Sequence, residues 1–135
     1  MIKVLIWGTG VCGQEICSSK LSDKADVVAF VESEKSKDEC LGIKVIDGRS
    51  VNKYVYDLLI IATAYLKDVE KNILKWGIDI AKCVFTLDAN EFECRSKRAL
   101  DLLVQCIKEN FCANGLILNF CGGDCPKTGH NLTCS

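Results

Sequence analysis

The chain has 135 residues, room for about one domain. It carries 17 basic and 18 acidic residues, a net charge of −1, and no basic patch stands out, so there is no electrostatic case for nucleic acid. Its longest apolar runs are strand-sized, far short of a helical membrane span.

Residues 2–7 predict a first strand. Val4, Leu5 and Ile6 form the continuous apolar run expected of a strand buried on both faces. Gly8-Thr9-Gly10-Val11-Cys12-Gly13 follows, and residues 11–21 predict a helix with Ile16 and Leu21 on its apolar side. In such a strand–turn–helix each glycine has its own task. Gly8 permits the sharp exit from the strand, Gly10 lets backbone approach a pyrophosphate, and Gly13 lets the helix pack close to the sheet. The loop aims backbone N–H groups at one point, a place for the phosphates of a nucleotide. Gly8, Thr9, Gly10, Val11, Cys12 and Gly13 are therefore candidate cofactor-binding residues. Used for geometry alone, the same glycines give an ordinary tight turn.

Residues 26–31 predict a second strand ending at Glu32. Glu32 lies about 20 residues past Gly13, the separation at which a Rossmann unit places its ribose-binding acid. It either accepts from a ribose, disfavouring a 2′-phosphate, or belongs to the solvated charge run that extends to Glu39. Gly42–Ile46 predicts a short third strand, closed by Asp47-Gly48, and Ser50–Tyr54 one helical turn. Asp57–Ala62 predicts a fourth strand, Leu66–Trp76 a helix ending at Gly77, and Cys83–Phe85 a fifth strand. This alternation predicts an α/β fold, a doubly wound parallel sheet of order 3-2-1-4-5. Thr63 and Tyr65 then fall at the switch point of the sheet. Thr63 either offers its hydroxyl to a phosphate or ribose or caps the next helix. Tyr65 either stacks on a base or is a surface aromatic.

Residues 91–110 predict a helix whose stripe of Ala99, Leu102, Leu103, Cys106 and Ile107 covers this domain or a partner, including a second copy. The tail, 111–135, changes character, as the opening of a truncated second domain or a disordered end. Its Leu116–Phe120 could start a strand. Of the chain's ten cysteines, Cys17, Cys83 and Cys106 read as small buried apolar residues. Cys12 sits at a helix N-terminus, where a thiolate is favoured, or packs beneath the loop. Cys121, Cys125, His130 and Cys134 are soft ligands, but a zinc ribbon spaces its pairs differently. A cluster motif opening with Cys121 and Cys125 needs a third cysteine where Thr128 stands. No metal ligand is assigned. Met1 leads directly into the first strand, leaving no room for a signal peptide, and the expected location is cytoplasmic.

Together Val4–Gly13, Val27–Glu32, Gly42–Ile46, Tyr56–Thr63 and Leu74–Ile78 with Cys83–Phe85 give an order of motifs. In this order the first 90 residues resemble the nucleotide-binding Rossmann domains at the N-termini of bacterial sugar-nucleotide enzymes of surface-polysaccharide assembly, including acyltransferases and 4,6-dehydratases. The resemblance implies a UDP-sugar or NAD at Gly8–Gly13 and Glu32. The chain departs from the commoner acidic pair after the second strand, having Glu32-Ser33, which leaves the nucleoside open. The expected function is a binding module for a larger enzyme or partner, with no catalytic residue assigned. The alternative is an autonomous NAD-dependent oxidoreductase or sugar-nucleotide epimerase. Against it, no Tyr-x-x-x-Lys pair exists and no histidine precedes His130.

Overall fold

The computed structural model describes residues 1–88, 91–108 and 116–118. Strand β1 (Ile2–Trp7) leads through the glycine turn into a five-residue helix, α1 (Val11–Glu15), which widens into a π-helical turn over Ile16–Lys20. Strands β2 (Ala25–Glu32), β3 (Glu39–Cys40) and β4 (Ile43–Asp47) follow. A 3₁₀ turn (Gly48–Lys53) then leads to β5 (Leu58–Ile61) and helix α2 (Leu66–Lys75). Strands β6 (Cys83–Asp88) and β7 (Glu91–Cys94), helix α3 (Lys97–Cys106) and β8 (Leu116–Leu118) complete the described elements.

The sheet order is β3-β4-β2-β1-β5-β6-β7-β8. This corrects the expectation of a doubly wound, wholly parallel sheet of order 3-2-1-4-5. The sheet is mixed: β2 and β5 flank β1 in parallel, and β4 and β6 extend it in parallel, but β3 joins β4 and β7 joins β6 antiparallel. The helices are few and short. Two local causes produce the antiparallel pairs. Leu41 (φ 54°) and Gly42 (φ 77°) form a two-residue hairpin turn with both central residues left-handed, the geometry that matches strand twist. Glu91-Phe92-Glu93-Cys94 alternates half-buried and buried side chains with the period of a strand, so the predicted helix over 91–110 begins only at Lys97. Ser96 starts that helix by accepting from the Ala99 amide at 3.0 Å. The predicted helix over 11–21 ends in the π turn, and Leu21 bridges instead to Ile107.

Strands β1 and β5 are buried on both faces. Val4, Ile6, Leu58 and Ile60 pack with Ile16, Ala99, Leu103 and Cys106, while Leu5, Trp7, Leu59 and Ile61 pack with Val51, Val69 and Ile73. The stripe of α3 thus covers the sheet of its own chain. Each fully buried aliphatic or aromatic side chain contributes about 1.5–3 kcal/mol, so these two layers dominate stability. Between Val4 and Leu5 the register with β2 shifts: Val4 pairs with Val27, and Leu5 with Ala29. The extra residue, Val28, packs on the same side as Ala29 and Val31, and the bulge keeps each later pair facing one core. Cys83, Cys94 and Cys106 are buried thiols, and desolvation pushes them up to about 12, 12 and 11. Cys17 is only half-buried. The tail residues 119–135, with the cysteines and His130 weighed for metal, lie outside the described residues, as do 109–115.

The indole rings of Trp7 and Trp76 stack at 6.3 Å between centroids and 7° between planes. Gly48 fits against both. A methyl group there would lie 2.7 Å from Trp76 Cζ3 and 2.8 Å from Trp7 Cη2. Gly48→Ala is expected to lower stability by about 1–3 kcal/mol through this overpacking, read from urea unfolding followed by circular dichroism. An unchanged midpoint would show that the stack yields freely. Leu41 is exposed and pays for its left-handed backbone, so Leu41→Asn is expected to raise stability by up to ~1 kcal/mol in the same measurement.

Candidate functional site

The C-terminal ends of β1, β2 and β5 meet where the glycine turn crosses the sheet. The crossing is close. A Cβ on Gly8 (φ 126°) would collide with the Ala62 carbonyl oxygen, and one on Gly13 with the Gly8 carbonyl oxygen. These two glycines therefore serve backbone packing. Gly8 is tied down by its amide, which donates to Val31 O at 2.9 Å, and Ala62 N donates to Trp7 O at 2.8 Å. Gly10 is different. It is exposed, nothing lies within 4 Å of where its Cβ would sit, and as N-cap of α1 it supplies no capping side chain. The first-turn amides of a helix have no intrahelical partner. Gln14 steadies the loop by donating from Nε2 to Thr9 O at 2.9 Å.

Beside the loop lies a cavity of about 410 Å³, lined by Trp7, Gly8, Thr9, Val31, Glu32, Ser33, Thr63, Tyr65, Asp68, Val69 and Asn72. It brings together five of the predicted site residues: Gly8, Thr9, Glu32, Thr63 and Tyr65. Val11 and Cys12 line a neighbouring cavity instead, and Gly13 is buried against the turn. Thr63 Oγ1 accepts from the Tyr65 amide at 3.3 Å, while the N-cap of α2 is Tyr65, which provides no side-chain cap. Tyr65 is 71% exposed, its ring free to cover a ligand.

Glu32 is the best-held polar group in the cleft. Its Oε2 accepts from Thr9 Oγ1 at 2.7 Å, and its Oε1 accepts from the Ser36 amide at 2.7 Å and the Ser36 hydroxyl at 2.9 Å. Desolvation pushes its pKa up, but the Ser36 amide, the Thr9 and Ser36 hydroxyls and Lys37 outweigh it and hold the carboxyl below the usual glutamate range. A carboxylate has about four acceptor positions, so one on Oε2 remains. Glu32 is therefore not a member of a loose charge run. Its register partner across β4 is Asp47, which caps the 3₁₀ turn by accepting from the Arg49 amide at 2.8 Å. That bond, opposed by desolvation and aided by the Lys35 amide and the Arg49 guanidinium, holds Asp47 low as well. The Arg49 guanidinium in turn lies 5.0 Å over the Trp76 ring.

Sequence reasoning missed Ser36, Asp68 and Asn72. Asn72 Nδ2 reaches Ser33 Oγ at 3.5 Å across the cleft. Asp68 and Asn72 lie four apart on α2, one helical face, a spacing that could have found them once Thr63 and Tyr65 were placed. Cys12 is exposed rather than tucked beneath the loop, and desolvation and then Glu15 push its thiol up, against the thiolate expected at a helix N-terminus.

Residues 1–84 match the family described as C2185-like, N-terminal. The chain belongs to this family. No curated protein matches it. The match overturns the resemblance to the N-terminal Rossmann domains of sugar-nucleotide enzymes. The residues that carried that resemblance have packing duties here: Gly8 and Gly13 at the crossing, Glu32 in its own hydrogen bonds, Leu58–Ile61 in the core. Such motifs arise wherever a buried strand turns tightly into a helix. Of the expected location, what stands is that no helix among the described residues is long and apolar enough to cross a membrane.

Because Glu32 and Asp47 both have lowered pKa values in the folded protein, the stability they contribute is fully present above the unfolded carboxylate range, near about pH 4. It is lost as pH falls through their folded values. In Glu32→Gln the part due to Glu32 is removed, so the urea midpoint is expected to fall less steeply with acidification than in the parent. Identical slopes would show that the Thr9 and Ser36 bonds do not depend on the charge.

Proposed function

We propose that the chain is a nucleotide-binding module, holding a ribose diphosphate in the cleft between β1, β2 and β5. The observation that carries the reading is the Glu32 carboxylate, kept ionised by three donors with one acceptor position left, on the wall of a cavity beside an uncapped glycine loop. Glu32 accepts from a ribose hydroxyl at that position. Asp68 and Asn72 offer acceptors, and Asn72 a donor, to the base, and Tyr65 covers it. Among the described residues no lysine or arginine lines the cavity, so the diphosphate sits over the loop, on first-turn amides around the open side of Gly10. Because α1 runs only five residues, the amides rather than a helix dipole supply the attraction.

The reading is common to UDP-sugars and NAD, which share a ribose and a pyrophosphate. The chain then serves as a binding part for a catalytic domain or partner enzyme. Assignment of that enzyme to polysaccharide synthesis loses the support the overturned resemblance gave it.

Calorimetry of the full chain with ADP, UDP, NAD and NADP tests the reading. ADP, UDP and NAD are expected to bind, and NADP more weakly, because its 2′-phosphate meets the Glu32 charge. Glu32→Gln is expected to weaken NAD or UDP by about tenfold, the loss of a hydrogen bond to a charged acceptor, and to narrow the gap to NADP. Binding of none of the four, or equal binding to parent and Glu32→Gln, overturns it.

A further inference from the structure

A second cavity, about 610 Å³, lies on the other side of Thr63. Thr63 lines both cavities, so the two meet at the glycine turn. The second cavity has apolar walls, Val11, Leu66 and Leu87, of which Val11 is 83% exposed and Leu87 42%. Its polar side chains among the described residues are Thr63, Glu15, Thr86 and the exposed Cys12 thiol. Thr86 stands out. It is nine-tenths buried, the one buried residue among those described that is neither apolar, aromatic nor cysteine, and its Oγ1, itself covered, has no hydrogen-bond partner among the described residues.

By strand alternation Thr86 follows Val84 onto the face that α1 covers, where β1, β5 and β6 otherwise present Ile6, Ile60 and Val84. Valine has the same shape as threonine and would fill that position without cost. A buried hydroxyl left unpaired costs about 1–3 kcal/mol. A hydroxyl kept at such a position needs a partner that none of the described residues supplies.

We infer that the second cavity takes a ring without negative charge that bears hydrogen-bonding groups, carried on the far side of the diphosphate, and that the covered Thr86 hydroxyl turns about χ1 to pair with it. The inference rests on the nucleotide-binding reading. The ring carries no negative charge, because the walls are apolar and Glu15, the one charged side chain among the described lining residues, repels an anion. A hexose and an aromatic carboxamide both have this chemistry: a face for Val11, Leu66 and Leu87, and polar atoms for Thr86 and Thr63.

Calorimetry of the full chain compares ADP with NAD, and UDP with UDP-glucose. One extended ligand is expected to bind more tightly than its parent diphosphate, and the pair that shows the gain identifies the ring as carboxamide or hexose. Thr86→Val is expected to leave ADP and UDP unchanged while weakening that extended ligand about fivefold, the scale of one neutral hydrogen bond, and Thr86→Ser to restore it. The urea midpoint of Thr86→Val is expected to equal or exceed that of the parent, since no internal bond is lost. A lower midpoint with no selective loss of the extended ligand assigns the hydroxyl a structural partner and overturns the inference. Diphosphates that bind without gain from the ring overturn it and leave the nucleotide reading standing. Diphosphates that do not bind at all remove both.

Discussion

The architecture hangs on one close approach: two backbone crossings at the end of β1 that leave no space for side chains. Gly8 lies against the Ala62 carbonyl, and Gly13 against the Gly8 carbonyl. The first contact fixes how far the turn rises above β5. The second fixes how near α1 comes to the sheet. Thr9 is thereby carried to Glu32 on one side and Val11 to Thr63 on the other, so both cavities owe their walls to these contacts. A larger residue at either position displaces main chain, which cannot be relieved by a rotamer change.

Much of the sheet centre was legible in the sequence. Val4–Ile6 and Leu58–Ile61 are apolar without alternation, and only a strand covered on both faces has that need. The edges were not legible in the same way. Glu39-Cys40 is too short to show a period, and its hairpin uses Leu41 where asparagine or glycine would have announced the turn. At 91–94 a strand of four residues abuts a helix with a strong apolar stripe, and the longer signal absorbed the shorter. The resemblance drawn from motif order failed for a related reason. Motifs shaped by packing recur wherever the packing problem recurs.

Within the cleft, spacing placed Glu32, Thr9, Thr63 and Tyr65 because each sits at or shortly past a strand end, and strand ends were readable. The partners that give Glu32 its character were not. Ser36 reaches it through the fold of a polar loop, and polar loops carry no periodicity. Asn72 and Asp68 belong to a helix whose apolar stripe was visible while its polar face was not assigned to anything. Thr86 was hidden by its likeness to valine: a β-branched residue in a strand attracts no notice until its surroundings are known to be apolar.

The stack at the wall of the cleft has an optical consequence. Trp7 and Trp76 are the only tryptophans in the chain, and Trp7 both lines the cleft and faces Trp76 ring to ring. Indole emission from the intact protein therefore originates at a single place. Its colour and yield follow the polarity at that wall, with the Arg49 guanidinium over the outer ring adding a fixed local field. The molecule carries its own built-in chromophore for whatever enters the cleft.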